Sequence, residues 1–120
     1  GLNKEYGTYL LADHTVHDAC GDAFAWRRLD RIVAHGRTTP AFLYEILGTA
    51  DDTPEAVREA ARTYEAAWDA YAARDFQGAL DRLATLEPDG AVQRLQGLCR
   101  TCLETPPSDE WDGVTHMTRK

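Results

Sequence analysis

A chain of 120 residues, 43% hydrophobic and 28% charged, has an ordinary globular composition, which excludes a disordered segment and leaves room for one compact domain or two very small ones. The net charge of −7 is unevenly spread, with −1 on residues 1–48 and −6 on residues 49–120. Without a basic cluster, this balance excludes nucleic acid and anionic membrane surfaces as partners, since both need Lys and Arg to neutralise phosphate. No apolar run approaches a membrane span, and the N-terminus lacks the basic flank and apolar stretch of a signal peptide, so a cytoplasmic chain with no direct membrane contact is expected. Gly1 at the start and Met117 as the only methionine suggest a piece of a longer protein. Three cysteines, an odd number, read as reduced thiols rather than a disulfide framework. Ser108 is the only serine and lies in the loop sequence Pro106-Pro107-Ser108-Asp109, which leaves serine hydrolysis without support.

The first 48 residues read as β-rich with one short helix. Thr8 to Ala12, after the turn signal Tyr6-Gly7, suits a buried strand. Asp13 to Cys20 reads as a helix with Asp13 as N-cap, Val16 and Cys20 on one face and Gly21 as its stop. Phe24 and Trp26 alternate, but after Arg27-Arg28 the phase changes to Leu29, Ile32 and Val33, which predicts a strand with a bulge near Arg27. Phe42, Tyr44 and Ile46 then alternate with Leu43 and Glu45. The segment His35-Gly36-Arg37-Thr38-Thr39-Pro40 has the Gly and Pro of a hairpin loop, so residues 23–34 and 41–47 form an antiparallel pair. Such a pair needs more sheet to be stable in water.

Gly48 to Asp52 reads as a linker. Thr53 is placed to N-cap a helix with Pro54 at its first position and Glu55 near the positive end of its dipole. This helix is expected to reach about Asp75, with Val57, Ala61, Tyr64, Trp68 and Tyr71 in one apolar stripe. A second helix carries Phe76, Ala79, Leu80, Leu83 and Leu86 and ends at Pro88-Asp89-Gly90. A third has Val92, Leu95, Leu98, Cys99 and Cys102 on one face and stops before Pro106-Pro107. The pattern Tyr71-x-x-x-x-Phe76-x-x-Ala79-Leu80 resembles a tetratricopeptide helical hairpin. Residues 54–105 hold about one and a half repeats of ~34 residues, fewer than a superhelix needs, so a three-helix appendage is expected, with Trp111 folded back onto it.

Several spaced motifs in residues 1–48 occur together and in order: Gly1-Leu2-Asn3-Lys4-Glu5-Tyr6-Gly7, Phe24-x-Trp26-Arg27-x-Leu29-Asp30, His35-Gly36-Arg37-x-x-Pro40 and Tyr44-Glu45-Ile46-Leu47-Gly48. This series resembles the C-terminal end of the catalytic domain of class III adenylate/guanylate cyclases. The tail, with Pro88-Asp89-Gly90, Cys99-Arg100, Pro106-Pro107 and Glu110-Trp111-Asp112-Gly113-Val114, resembles the segment that follows the catalytic domain in bacterial cyclases with upstream membrane helices. The resemblance implies an α+β fold: the last antiparallel hairpin of a ferredoxin-like cyclase domain (1–48), a linker (49–53) and a tetratricopeptide-like helical tail (54–120).

It also implies a function for the parent protein, which would form cyclic nucleotide and pyrophosphate from ATP, in preference to GTP, with Mg²⁺ or Mn²⁺. The active site would be shared by a homodimer of catalytic domains, and the parent would be anchored through upstream helices. The family's metal-binding aspartates and its Asn/Arg pair precede the Leu-Asn-Lys segment, so the 120 residues alone are expected to be inactive. In the family the hairpin loop reads Lys-Gly-Lys or Lys-Gly-Arg, and its first lysine reaches the nucleotide phosphates. His35 stands at that position here, with Arg37 at the second basic position, and these two are the candidate phosphate contacts. A histidine with an ordinary pKa of about 6.5 is mostly neutral at pH 7 and has a shorter reach than lysine. The competing reading is a non-catalytic helical interaction module with a remnant β hairpin.

Other constellations favour structure over chemistry. Cys99-Arg100-Thr101-Cys102 and His14-Thr15-Val16-His17 have the spacing of a Cys2His2 zinc site, but both cysteines fall on an apolar helix face, where a reduced thiol behaves as a small hydrophobe. Glu55, Glu59 and Asp69 alternate with Arg58, Arg62 and Arg74, as on a solvated helix face. Tyr64, Trp68, Tyr71 and Phe76 are expected to be core rather than a peptide groove.

Overall fold

A computed structural model describes residues 11–33, 36 and 38–116. In chain order they form β1 (Leu11–Asp13), α1 (His14–Cys20), a 3-10 turn (Gly21–Ala23), β2 (Phe24–Val33), β3 (Ala41–Thr49), α2 (Glu55–Ala72), α3 (Phe76–Leu83), α4 (Gly90–Glu104) and β4 (Thr115–His116). The fold is α+β, as the sequence predicts. The sheet order is β1-β3-β2-β4, with β1 and β2 antiparallel to β3 and the two-residue β4 parallel to β2. The part of the expected first strand before Leu11, and the capping role of the Asp13 side chain, lie outside the described residues.

The hairpin has the expected strands, with register shifts on both sides of Arg27, where a bulge is expected. Pairing runs from Arg28↔Tyr44 to Asp30↔Leu43, so Leu29, two residues beyond Arg27, is the extra residue. A second irregularity, between Ala25↔Gly48 and Trp26↔Ile46, leaves Leu47 extra on β3. Two opposed residues per bulge locally reverse which side chains face inward. Ala25, Arg27 and Leu29 are buried before the slip, and Asp30 and Ile32 after it. The bulge therefore turns an aspartate into the interior. On β3, Leu43 is buried, whereas Phe42, Tyr44 and Ile46 are half-buried, with Phe42 packed against the core. Tyr44 is covered by the His17 ring from α1, stacked 4.0 Å away.

Beyond the hairpin, β3 runs through Gly48 to Thr49, so the connection to α2 is residues 50–54, as long as the expected linker 49–53 and one position later. Thr53 does not cap α2; its hydroxyl donates to the Thr49 carbonyl at 2.7 Å, and Pro54 is the N-cap residue in an extended conformation. Helix α2 ends at Ala72 rather than near Asp75, because Arg74 adopts a left-handed φ of 68° and Asp75 begins α3 as its N-cap, accepting from the Gly78 N–H at 3.0 Å. A Cβ on Gly78 would collide with the Asp75 carboxylate, so glycine leaves room for this cap. Asp89 caps α4 in the same way through the Val92 N–H at 2.9 Å.

Hairpin and helices share one core. Leu29, Ile32 and Leu43 from the sheet pack with Tyr64, Trp68 and Tyr71 of α2, Phe76 and Leu83 of α3, and Val92, Leu95 and Cys99 of α4. The helical segment is thus docked on the hairpin. Trp111 folds back as expected, edge-on to Tyr71 at 5.1 Å and Phe76 at 5.6 Å. Arg74 holds that return segment by donating to the carbonyls of Pro107 and Ser108 and lying over the Trp111 ring. Val57 and Val16, expected on apolar faces, are 40% and 44% exposed.

Helix α2 also satisfies polar groups of β2. The Tyr64 hydroxyl donates to the Leu29 carbonyl at 2.7 Å, and the Arg28 N–H donates to the Glu65 carboxylate at 2.9 Å. Asp30, 2% exposed, accepts from the Trp68 indole N–H at 3.1 Å, the Arg31 N–H at 2.8 Å, the Arg94 guanidinium at 3.3 Å and the Thr115 hydroxyl at 2.7 Å. Removing a buried carboxylate that neutralises a cation costs more than losing one neutral hydrogen bond. Asp30→Ala should lower unfolding stability in urea by about 3 kcal/mol and Thr115→Val by about 1 kcal/mol; equal, small losses would show that the carboxylate is not the anchor.

Candidate functional site

The two candidate phosphate contacts, His35 and Arg37, lie outside the described residues. The structure does describe what flanks them. The loop leaves β2 at Val33, passes Gly36 with a left-handed φ of 79°, and enters β3 at Ala41. Beneath it, Ile32 pairs with both Ala41 and Thr115, and Val33 with His116. Strand β4 is therefore set beside the base of this loop. Sequence reasoning missed that arrangement, because a two-residue parallel strand carries no periodicity.

The remaining candidates resolve into packing. Cys99 is fully buried, and burial, with Cys102 adding to it, pushes its thiol up to about 12. Burial also raises the Cys102 thiol. His17, by contrast, is engaged with Tyr44 and Trp26 on the sheet, and the side chain of His14 is outside the described residues. Among the described residues no three His, Cys, Asp or Glu side chains gather in a way that could hold a metal ion. Glu55 pairs with Arg62, seven residues on, and Asp69 with Arg28 of β2. Tyr64, Trp68, Tyr71 and Phe76 are core. No helix of the described residues is long and apolar enough to cross a membrane.

What the sequence did not single out is a groove of about 560 Å³ between the hairpin, the first turns of α2 and the α3–α4 connection. Its wall is apolar, made by Leu47, Ala56, Val57, Ala60 and Leu86, and Arg27, Glu45, Glu87 and Asp89 add charge. The Arg27 guanidinium, nine-tenths buried, lies 4.8 Å over the Tyr64 ring and donates to Asp89 at 3.0 Å. Its Nε comes within 2.8 Å of Glu45 but makes no aligned hydrogen bond, so this contact acts as a charge pair. Burial raises the Glu45 carboxyl, with Arg27 opposing that shift and Asp89 adding to it. The sequence signal for this pairing was the Arg27 and Glu45 alternation on facing strands, but only the register puts them opposite each other.

No family model matches the chain, and no solved structure matches it. Adenylate cyclase 1 of Rhizobium meliloti (strain 1021) is 41% identical to it over 58 residues, which make up 47% of this chain and 9% of that protein. The chain thus spans under two thirds of the length of the relative it matches. Over those 58 residues the chain is similar to an adenylate cyclase.

Two outcomes are expected of these groups. A carboxyl raised in the folded state binds protons that the unfolded chain has released, so stability falls as pH rises above 4.5, the ordinary glutamate value, toward the folded value. In urea titrations across that window, Glu45→Gln should flatten the fall; an unchanged slope would contradict the assignment. At pH 8 a maleimide should label Cys99 last of the three cysteines, because little of it is thiolate; early labelling of Cys99 would contradict its burial.

Proposed function

We propose that this chain is the C-terminal portion of a class III nucleotidyl cyclase that makes cyclic nucleotide and pyrophosphate, from ATP in preference to GTP. The observation that carries this reading is the 41% identity to an adenylate cyclase over 58 residues. The ordered motifs from Leu2-Asn3-Lys4 to Tyr44-Glu45-Ile46 support it. In this reading residues 1–48 complete the sheet of a ferredoxin-like catalytic domain, residues 49–53 connect, and residues 54–120 form a tetratricopeptide-like tail. The edge strand β1, which pairs with β3, would continue into that larger sheet.

The chemistry would be attack of the ribose 3′-oxygen on the α-phosphorus in a site shared by two catalytic domains, on the cytoplasmic side of a membrane-anchored parent. By the resemblance, Mg²⁺ or Mn²⁺ would be held by carboxylates of the upstream core. This chain's own contribution would be the hairpin loop, with His35 or Arg37 meeting the phosphates. A cation there stabilises charge that accumulates on the leaving group. An imidazole does so only when protonated, which would make the parent's rate fall as pH rises through the histidine range.

The isolated 120 residues should show no turnover of ATP to cyclic AMP, and measurable turnover would overturn the fragment reading. In the parent joined to its upstream core, His35→Lys should raise the rate by about tenfold at pH 8 and flatten its pH profile. An unchanged rate from pH 6 to pH 9 would remove His35 from the phosphate site.

A further inference from the structure

The groove between hairpin and helices combines an apolar recess with an excess of carboxylates. Val57 is 40% exposed although it continues the stripe that buries Ala61 and Tyr64. It faces the groove with Ala56 and Ala60, whose small side chains recess the wall between Leu47 and Leu86. An uncovered valine beside a recess leaves apolar surface in water, and covering it is favourable. The second feature is charge. Three carboxylates, Glu45, Glu87 and Asp89, line the same groove with the single guanidinium of Arg27. Arg27 is already engaged by Glu45 and Asp89, so the lining keeps a net formal charge of −2.

We propose that this groove docks a basic, apolar peptide segment of a protein partner, an aliphatic side chain entering the Ala56–Ala60 recess and flanking Lys or Arg side chains meeting Glu87 and Asp89. Charge complementarity selects this occupant: an acidic segment would add repulsion at the rim, and a purely apolar one would bury the carboxylates without a counter-charge. The groove is walled by β3 on one side and by α2 and the α3–α4 connection on the other. A bound segment would therefore touch both halves of the molecule at once. The inference stands on the groove alone and does not depend on the cyclase reading.

The test is NMR titration of the full chain with acetyl-Lys-Leu-Lys-Leu-amide and, separately, acetyl-Glu-Leu-Glu-Leu-amide. The basic peptide should move amide resonances at Leu47, Ala56 to Ala60 and Leu86, and should bind about tenfold more weakly when salt is raised to about 0.5 M. Val57→Asn should weaken it about tenfold and Glu87→Lys about fivefold. Leu103→Asp, a change at an exposed apolar residue of α4, should leave binding unchanged and controls for folding. Equal binding of the acidic peptide, shifts mapping elsewhere, or no saturation by about 10 mM would overturn the proposal. Movement of the same resonances on concentrating the chain alone would also overturn it, assigning the groove to a second copy.

Discussion

A carboxylate withdrawn from water must find donors and a counter-charge where it is buried, or the chain around it will not close. Asp30 meets that requirement with one group from each surrounding element: the Trp68 indole from α2, the Arg94 guanidinium from α4, the Thr115 hydroxyl from β4 and the next backbone N–H of its own strand. The helices, the return of the chain end and the phase of β2 are set together by this one group. The bulge at Leu29 is its precondition, since a regular strand would place Asp30 on the opposite face. Leu29 itself is anchored from α2 by the Tyr64 hydroxyl.

The same logic extends along β2. Arg27 and Arg28, adjacent cations on a strand, would be costly to cover unless each were matched. Arg27 meets Glu45, Asp89 and the face of Tyr64; Arg28 meets Asp69, the Phe42 ring and the Trp68 ring. The acidity of the second half of the sequence thus has a structural use. Glu65, Asp69 and Asp89 come from the helical part and act on β2 of the hairpin. Tyr64 and Trp68 of α2 serve both as core and as hydrogen-bond donors to the strand.

Much of this was legible in the sequence. The apolar stripe of α2 from Ala61 to Tyr71, the faces of α3 and α4, the hairpin and the return of Trp111 follow from periodicity and turn residues. What was not legible depends on register and on distant pairing. The bulge could be placed only near Arg27, because a phase change in side chains leaves its position open by a residue or two. The alternation of Phe42, Tyr44 and Ile46 with Leu43 left open which side of β3 faces inward; Leu43 is the buried one, and the His17 ring of α1 covers Tyr44. The end of α2 was misjudged because nothing in Ala73-Arg74-Asp75 signals a left-handed arginine. Neither the Asp30 cluster nor the groove has a sequence signature, as both join residues more than 40 positions apart.

The loop proposed to meet phosphate and the groove proposed to meet a peptide lie toward opposite ends of the hairpin, the first beyond Val33 and the second beside Leu47. A link between them requires the hairpin and the helices to behave as one body. Native-state hydrogen exchange measures this directly. Protected amides of β2 and β3 should open with the same free energy as those of α2 and α4, within about 1 kcal/mol, as one cooperative unit. Hairpin amides that exchange through openings several kcal/mol easier than the helical ones would contradict a shared core held by Asp30.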